Sequence, residues 1–289
     1  MAARCEVHLA APNGSDAQEL AQFVINEVRR IEAKYSRYQP DSVVSLVAAQ
    51  AGRDWVECDD ETLWLLDCAD TLFVKSGGLF DITSGVLRRA WNFTRTELPS
   101  EDALQGLCGL VDWLSVQRHG RHIRLPRMGM ELDFGGFGKE YAADRSAMAL
   151  ANMGVKHGYV NLAGDIRVIG PQFGSQPWII GIQDPCCRDK SIASIAVSNG
   201  ALATSGDYER SFELDGKRYC HILHPKTGLP VSFWRSISVQ APSTLQAGSI
   251  ATIAMLKQDQ GLAFLDNENV VYAALDQDGT AHYNKGSPL

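Results

Sequence analysis

Several features that would place this 289-residue sequence in a particular class of protein are missing. No apolar run approaches the roughly 20 residues that a transmembrane helix needs, so we expect no membrane span. The segment from Met1 to Leu9 is too short and too polar for a signal peptide. As written, the chain is therefore expected in the cytoplasm, or in the periplasm if a leader has been removed from it.

Positive charge is also scarce. Lys and Arg together number 27 against 34 Asp and Glu, which gives a formal net charge of −7. Binding to a nucleic-acid backbone requires a basic surface, so we expect no nucleic-acid partner. A small anionic ligand held in a local pocket is compatible with this balance.

Paired cysteine motifs, repeats and low-complexity linkers are absent as well. The seven cysteines are an odd number at scattered spacings, without the paired CxxC arrangement of a zinc site. We expect reduced, mostly buried thiols. A chain of this length can bury about 75% of its unfolded surface. We predict that residues 1–289 form a single domain.

Hydrophobic periodicity mixes strands with helices. Hairpin turns are predicted at His119-Gly120 and, most clearly, at Asp215-Gly216. The mixture favours an α+β fold, with a mostly antiparallel sheet flanked by helices, over a doubly wound parallel sheet. Strands are predicted at 4–9, 159–164, 178–182, 192–197, 236–241 and 270–275, and helices at about 15–35, from Asp59 or Asp60 to a stop at Gly77, 139–153 and 247–256.

The stretch from Glu131 to Asp144 has the layout of a phosphate site. A short apolar run ends at Asp133, three glycines follow, and a helix-forming run begins at about Lys139. Glycines let a ligand approach the N–H groups at a helix start, and Lys139 adds a cation. The spacing is that of neither a P-loop nor a dinucleotide fingerprint. Taken alone, the stretch favours a tight strand-to-helix turn with a salt-bridged lysine.

Four stretches stand in a fixed order along the chain. They are 78–83 (Gly-Leu-Phe-Asp-Ile-Thr), 133–144, 161–166, and 204–208 leading to 221–228 (His-Ile-Leu-His-Pro-Lys-Thr-Gly). Together they resemble the ApbE family, the FAD:protein FMN transferases formerly known as thiamine-biosynthesis lipoproteins, and the resemblance extends from Met1 to about Leu265. It implies an ApbE-like, T-fold-related domain that cleaves FAD at its pyrophosphate with Mg²⁺, passes the FMN half to a threonine hydroxyl of an acceptor flavoprotein and releases AMP.

The same resemblance implies roles for individual positions. Catalytic roles are implied for His221 and His224, in the loop that closes over the adenosine diphosphate end. Metal contacts are implied for the carbonyl of Gly136 and the hydroxyl of Thr252. Flat walls for the flavin ring are expected from Tyr38, Phe80 and Trp91. Contacts with FAD are implied for Met1, Tyr38, Leu79, Phe80, Asp81, Asp133, Lys139 and His221.

Two positions depart from the family pattern. The family has aspartate where this chain has His224, and its main metal carboxylate stands where this chain has Gly248. Mg²⁺ prefers anionic oxygen, so a site left with a carbonyl, a hydroxyl and water should bind it weakly unless the pyrophosphate brings the charge. Gly248→Asp is expected to create metal-stimulated activity if the missing ligand is the only defect.

Several accounts of function are open at this point. Lys139 and a protonated His224 could replace the charge of the metal, or Ser249 or a carboxylate elsewhere could replace the ligand, and FMN transfer would continue. Alternatively, the chain binds FAD without transfer. In a third account water replaces threonine, which makes the chain an FAD pyrophosphatase that yields FMN and AMP. FMN transfer is our first hypothesis.

Overall fold

The structure is a computed structural model and describes residues 4–10, 14–185, 187 and 190–284. Met1, a predicted FAD contact, lies outside these described residues. The helices are α1 (Gly14–Tyr35), α2 (Val43–Ala49), α3 (Asp60–Ser76), α4 (Glu101–Cys108), α5 (Gly138–Asn152), α6 (Thr244–Leu256) and α7 (Gly261–Asn267). The strands are β1 (Cys5–Leu9), β2 (Val56–Glu57), β3 (Gln117–His119), β4 (His122–Arg124), β5 (Gly158–Leu162), β6 (Asp165–Gly170), β7 (Trp178–Gln183), β8 (Ser191–Val197), β9 (Gly200–Gly206), β10 (Ser211–Leu214), β11 (Lys217–Cys220), β12 (Trp234–Ala241), β13 (Val271–Asp276) and β14 (Ala281–Tyr283).

A central sheet with the strand order β1-β5-β6-β9-β12-β13-β14 organises the molecule. Each pair of neighbouring strands in it is antiparallel. Smaller sheets form from β2, β4 and β3, from β7 and β8, and from β10 and β11. The predicted α+β fold with a mostly antiparallel sheet flanked by helices is thus confirmed.

Different elements cover the two faces of the central sheet. Side chains alternate along a strand, and on β6 Ile166 and Val168 pack against Val197 of the β7–β8 hairpin. On the opposite face, Ala203 of β9 packs against α6, and α5 contacts both β6 and α6. Asp165, next to Ile166 on β6, reaches toward α5. Its carboxylate therefore belongs to the helix side of the sheet.

A carboxylate of α5 fixes the start of α6. The side chain of Asp144 accepts hydrogen bonds from the backbone N–H of Thr244 at 2.8 Å and of Leu245 at 2.9 Å. The hydroxyl of Ser243, the N-cap residue, accepts one from Gln246. These bonds satisfy N–H groups that a helix start leaves without intrahelical partners. They also hold α5 and α6 in a fixed relation, which places the residues of the candidate site.

The described residues also bear on the expectations about membranes and cysteines. Within them, no helix has both the length and the apolar character that crossing a membrane demands. No disulfide joins any of the six cysteines in this part of the chain, of which Cys58 and Cys220 are buried and Cys5 is exposed. The expectation of mostly buried thiols was wrong, because the remaining three are only half-buried.

Candidate functional site

The glycine-rich stretch turns the chain into the start of α5. Asp133 closes this turn, since its Oδ1 accepts a hydrogen bond from the Gly135 N–H at 2.8 Å. Its Oδ2 pairs with the guanidinium of Arg37. Phe137, the N-cap residue of α5, provides no side-chain acceptor. The N–H of Gly138, the first residue of α5, donates to the carbonyl of Phe134, so the start of this helix is only partly open to solvent or an anion. The phosphate site here stays a prediction.

Lys139 connects α5 to the edge of β6. Its Nζ lies 2.7 Å from Oδ2 of Asp165, whose side chain is only 2% exposed. Burial opposes the charged form of Lys139, but the attraction of Asp165 and Glu140 outweighs it and raises the pKa of the amine. The lysine is charged at neutral pH, and 31% of its side chain is open to solvent. It can meet an anionic ligand without leaving Asp165.

Glu140 is a buried carboxylate that the sequence analysis missed. A Cβ atom added at Gly248 would lie 2.7 Å from Cγ and 2.8 Å from Oε1 of Glu140. Within the described residues, Oε2 of Glu140 has no hydrogen-bond partner. Burial, followed by the charge of Asp165, raises the pKa of this carboxyl group well above its ordinary value. Gly248 is therefore not a gap in the site, because Glu140 occupies the space beside it.

The residues predicted to hold a metal lie near this carboxylate in the fold. Thr252 follows Gly248 by about one turn of α6 and shares its face, and its hydroxyl lies 3.3 Å from that of Ser205. Gly136 precedes Glu140 by four residues and lies in the turn that leads into α5. In the part of the chain that the structure describes, no group of three or more His, Cys, Asp or Glu side chains is arranged around one point.

That arrangement is compatible with magnesium. Mg²⁺ keeps several waters and is commonly held by one or two carboxylates together with phosphate oxygens of a substrate. The oxygen of Glu140 without a partner supplies a carboxylate donor, and the hydroxyl of Thr252 supplies a neutral one. The residues present thus fit a magnesium ion that arrives with a phosphate ligand.

His221 is electrostatically coupled to the same cluster. Its backbone N–H donates to the carbonyl of Arg210 at 3.0 Å, and its ring is accessible to solvent. The surrounding protein, then the charge of Arg210, lowers the pKa of the ring to about 4, with smaller contributions from Lys139 and Arg37. The imidazole is therefore neutral at pH 7 and able to accept a proton.

His224 faces a different part of the molecule. It lines a cavity of about 290 Å³ with residues of the β10–β11 hairpin, and Lys139 and His221 do not line that cavity. Its Nδ1 is buried and has no hydrogen-bond partner among the described residues. Burial, followed by the charge of Lys226, lowers the pKa of the ring. This direction works against the hypothesis that a protonated His224 replaces the metal charge, which stays a prediction.

The two histidines can be distinguished by their pKa values. Arg210→Ala is expected to raise the pKa of His221 toward 6.5, and Lys226→Ala to raise that of His224 while leaving His221 unchanged. Because the unfolded state binds the proton more tightly, His221 makes folding less favourable as the pH falls from 6.5 to 4. Titration of the ring signals by NMR measures both values. A midpoint near 6.5 for His221 in the unaltered protein would contradict this account.

The three aromatic residues expected to surround a flavin ring differ in exposure. Tyr38 is 70% exposed, and the guanidinium of Arg37 stacks 5.0 Å from its ring centroid. Phe80 is buried, and a Cβ atom at Gly136 would lie 3.0 Å from its ring. Trp91 is buried as well, and its Nε1 donates to a backbone carbonyl at 2.8 Å. Of the three, Tyr38 alone presents an open ring face in this structure.

Asp81 supports the loop that carries Leu79 and Phe80. One carboxylate oxygen accepts from the N–H of Thr83 at 2.7 Å and from its hydroxyl at 2.5 Å. The other accepts from the N–H of Trp113 at 3.2 Å. Leu79 is half-buried and packs against the cluster around α6. The carboxylate of Asp81 is thus engaged within the protein, and its contact with FAD stays a prediction.

The structural role of Asp81 can be measured directly. Asp81→Ala is expected to lower the free energy of unfolding by about 2 kcal/mol, because three buried hydrogen bonds lose their acceptor. Asp81→Asn, which keeps an acceptor for Thr83, should lose less. Urea unfolding of the three proteins gives both values. An unchanged unfolding midpoint combined with lost FAD binding would instead make Asp81 a ligand contact.

Comparison with known proteins gives a consistent assignment. The sequence profile of the ApbE family matches residues 1–275. The FAD:protein FMN transferase of Treponema pallidum is 32% identical over 268 residues, which cover 86% of this chain and 74% of that protein. The protein of the same name from Vibrio cholerae is 26% identical over 295 residues, covering 97% and 86% of the two chains.

Solved structures agree with the sequence comparison. The crystal structure of the ApbE protein from Thermotoga maritima superimposes with a TM-score of 0.89 at 29% identity. The match covers 97% of this chain and 93% of that one. With its family profile matched over nearly the whole length, this chain belongs to the ApbE family.

Proposed function

We propose that this protein is an FAD:protein FMN transferase. It cleaves the pyrophosphate of FAD, attaches FMN to a threonine hydroxyl of an acceptor flavoprotein and releases AMP. The observation that carries the proposal is that Lys139, charged and partly open to solvent at the start of α5, acts through its charge on the neutral ring of His221. The names of the relatives from Treponema pallidum and Vibrio cholerae support the same reaction.

The pyrophosphate of FAD fits the start of α5. The N–H groups of this helix and the positive end of its dipole favour an anion, and Lys139 adds a full charge beside them. Arg37, held by Asp133, places further positive charge at the turn that precedes the helix. A magnesium ion held by Glu140, Thr252 and the carbonyl of Gly136 would neutralise the charge that develops on the departing phosphate.

His221 is suited to move the proton of the reaction. As the hydroxyl oxygen of the acceptor threonine bonds to the phosphorus of the FMN half, the bond from that phosphorus to the oxygen of the AMP half breaks. His221, neutral at pH 7, accepts the hydroxyl proton, and AMP leaves with the bridging oxygen. Arg210, whose charge reaches the ring, keeps the imidazole unprotonated until that step.

Intact-mass spectrometry of an acceptor tests this function. The purified protein is incubated with FAD, Mg²⁺ and the recombinant domain of a flavoprotein that carries threonine-linked FMN. We expect the acceptor to gain the mass of one FMN phosphoester, and a matched acceptor with threonine replaced by valine to gain none. Absence of the adduct, with and without metal, while a transferase of the same family modifies the same domain, would contradict the proposal.

A hydrolytic activity is the second candidate because the ring of His221 is accessible to solvent. Water could then take the place of the threonine hydroxyl, and FAD would be split to free FMN and AMP. In the same incubation, both products would accumulate without an acceptor adduct. That result would identify an FAD pyrophosphatase.

A further inference from the structure

Helices α5 and α6 pack together where α5 carries the buried Glu140 and α6 carries Gly248, which has no side chain. Glu140 is 7% exposed and directs its carboxyl group at Gly248. Any side chain at position 248 would collide with it, since an added Cβ lies 2.7 Å from its Cγ. The glycine is therefore required by the glutamate, and the two residues form a matched pair across the helix interface.

The carboxyl group of Glu140 lacks a full set of partners. Its Oε2 is buried and has no hydrogen-bond partner in the part of the chain that the structure describes. Asp165 is the neighbouring acid whose charge raises the pKa of Glu140 most. It is also buried, and its Oδ2 is already paired with Nζ of Lys139 at 2.7 Å. One lysine thus serves two buried carboxyl groups. Two acids sharing one cation either retain a proton between them or bind a further cation.

The residues of α6 that follow Gly248 carry hydroxyl oxygens, which are neutral donors for a hard cation. Thr252 presents its hydroxyl one turn beyond Gly248 on the same face of α6. Ser249 has a fully buried hydroxyl without a partner among the described residues, but it carries no charge. Mg²⁺ requires at least one anionic oxygen and completes its six positions with neutral oxygens, water and phosphate. Glu140 is the residue that meets the anionic requirement.

We propose that Glu140 is the carboxylate ligand of a divalent cation that binds together with FAD. In this chain the carboxylate comes from α5 and crosses to α6 over Gly248, with the hydroxyl of Thr252 as a neighbouring donor. The inference rests on the proposed function, because the cation is completed by the pyrophosphate of FAD. It also changes the result expected for Gly248→Asp. The new aspartate would meet Glu140 in the same space, so the substitution should not create metal-stimulated activity by itself.

Binding of Mn²⁺ in the presence of FAD tests the inference without relying on activity. The free Mn²⁺ signal is followed by electron paramagnetic resonance while the protein–FAD complex is titrated. We expect Glu140→Gln to weaken Mn²⁺ binding by about 100-fold. Glu209→Gln removes the same charge from an exposed position near Lys139 and should change the affinity by less than about twofold. Thermal melting verifies that each variant is folded.

Moving the carboxylate from position 140 to position 248 provides the most direct test of its role as a ligand. Gly248→Asp alone is expected to melt at a lower temperature and to bind Mn²⁺ no more tightly, because its side chain meets Glu140. Combining Gly248→Asp with Glu140→Ala supplies the carboxylate from α6 and should recover most of the lost affinity.

Three results would separate the inference from the proposed function. Mn²⁺ affinity equal in the unaltered protein and Glu140→Gln would overturn the inference, because the carboxylate would then not be a ligand. An unaltered protein that binds FAD but no Mn²⁺ would overturn it as well. Mn²⁺ binding that depends on Glu140, in a protein that forms no FMN adduct on any acceptor, would sustain the inference and remove the transferase proposal.

Discussion

Replacing Lys139 with methionine is expected to lower the free energy of unfolding by about 3 kcal/mol and to weaken FAD binding by about 100-fold. The loss of stability follows because Asp165, 2% exposed, would be left beside Glu140 without a cation. The loss of affinity follows because the ammonium group stands at the start of α5, where we propose that the pyrophosphate binds. Urea unfolding measures the first effect, and quenching of flavin fluorescence measures the second.

A second variant separates the two effects of Lys139. Asp165→Asn in the Lys139→Met background removes the unpaired buried charge, so most of the lost stability should return. FAD affinity should not return, since the cation is still missing. A Lys139→Met protein that binds FAD as tightly as the unaltered one would show that the lysine serves only its ion pair with Asp165, which is the structural interpretation of this stretch.

Replacing His221 with asparagine is expected to reduce the rate of FMN transfer by about 1000-fold. Asparagine has a similar reach and can donate and accept hydrogen bonds, but it cannot hold the proton released by the threonine hydroxyl. FAD affinity should stay within about threefold of the original, because we propose that Lys139 and the start of α5, and not His221, hold the phosphates. Rates of acceptor modification at saturating FAD, together with FAD dissociation constants, give the two quantities separately.

Replacing His224 with asparagine tests whether this histidine also has a catalytic role, which the sequence analysis left as an expectation. His224 lines a separate cavity with the β10–β11 hairpin, so His224→Asn should slow transfer far less than His221→Asn. A comparable loss of rate in both variants would return His224 to the catalytic group. A loss confined to His221 would leave a single histidine as the base.

Features governed by local chemistry could be predicted from the sequence. Asp59 caps α3 by accepting from the N–H of Thr62 at 3.0 Å, and Gly77 ends that helix in the left-handed conformation, with φ of 71°. The hairpin at Asp215-Gly216 likewise forms where the turn residues indicated it, with φ of 51° and 74°. Each depends on a few consecutive residues, which is why the sequence alone was sufficient.

Short helices and the central strands of the sheet were harder to predict. Helices α2 and α4 were not anticipated, because each is about two turns long and offers too few apolar residues for a clear helical period. Strands β6 and β9 are central in the sheet and buried along most of their length. A buried strand shows little alternation of polar and apolar residues, so its pattern gives a weak signal.

The main electrostatic features of the site depend on contacts between distant parts of the chain. The sequence suggested no role for Glu140, and it made Gly248 look like the position of a lost metal ligand. Only the packing of α5 against α6 brings them together. The burial of Phe80 beneath Gly136 and the low pKa of His221 beside Arg210 have the same origin. A single sequence contains no signal for such pairs.

The ratio of AMP released to FMN attached is the most direct test of the central claim. FAD, Mg²⁺, the enzyme and a threonine-bearing acceptor are incubated, AMP is measured by chromatography, and covalent FMN by intact mass. An FMN transferase must release one AMP for each FMN that becomes attached, and we predict this ratio at all times before the acceptor is exhausted. AMP formed in step with free FMN, or no AMP from a stably bound FAD, would contradict the account.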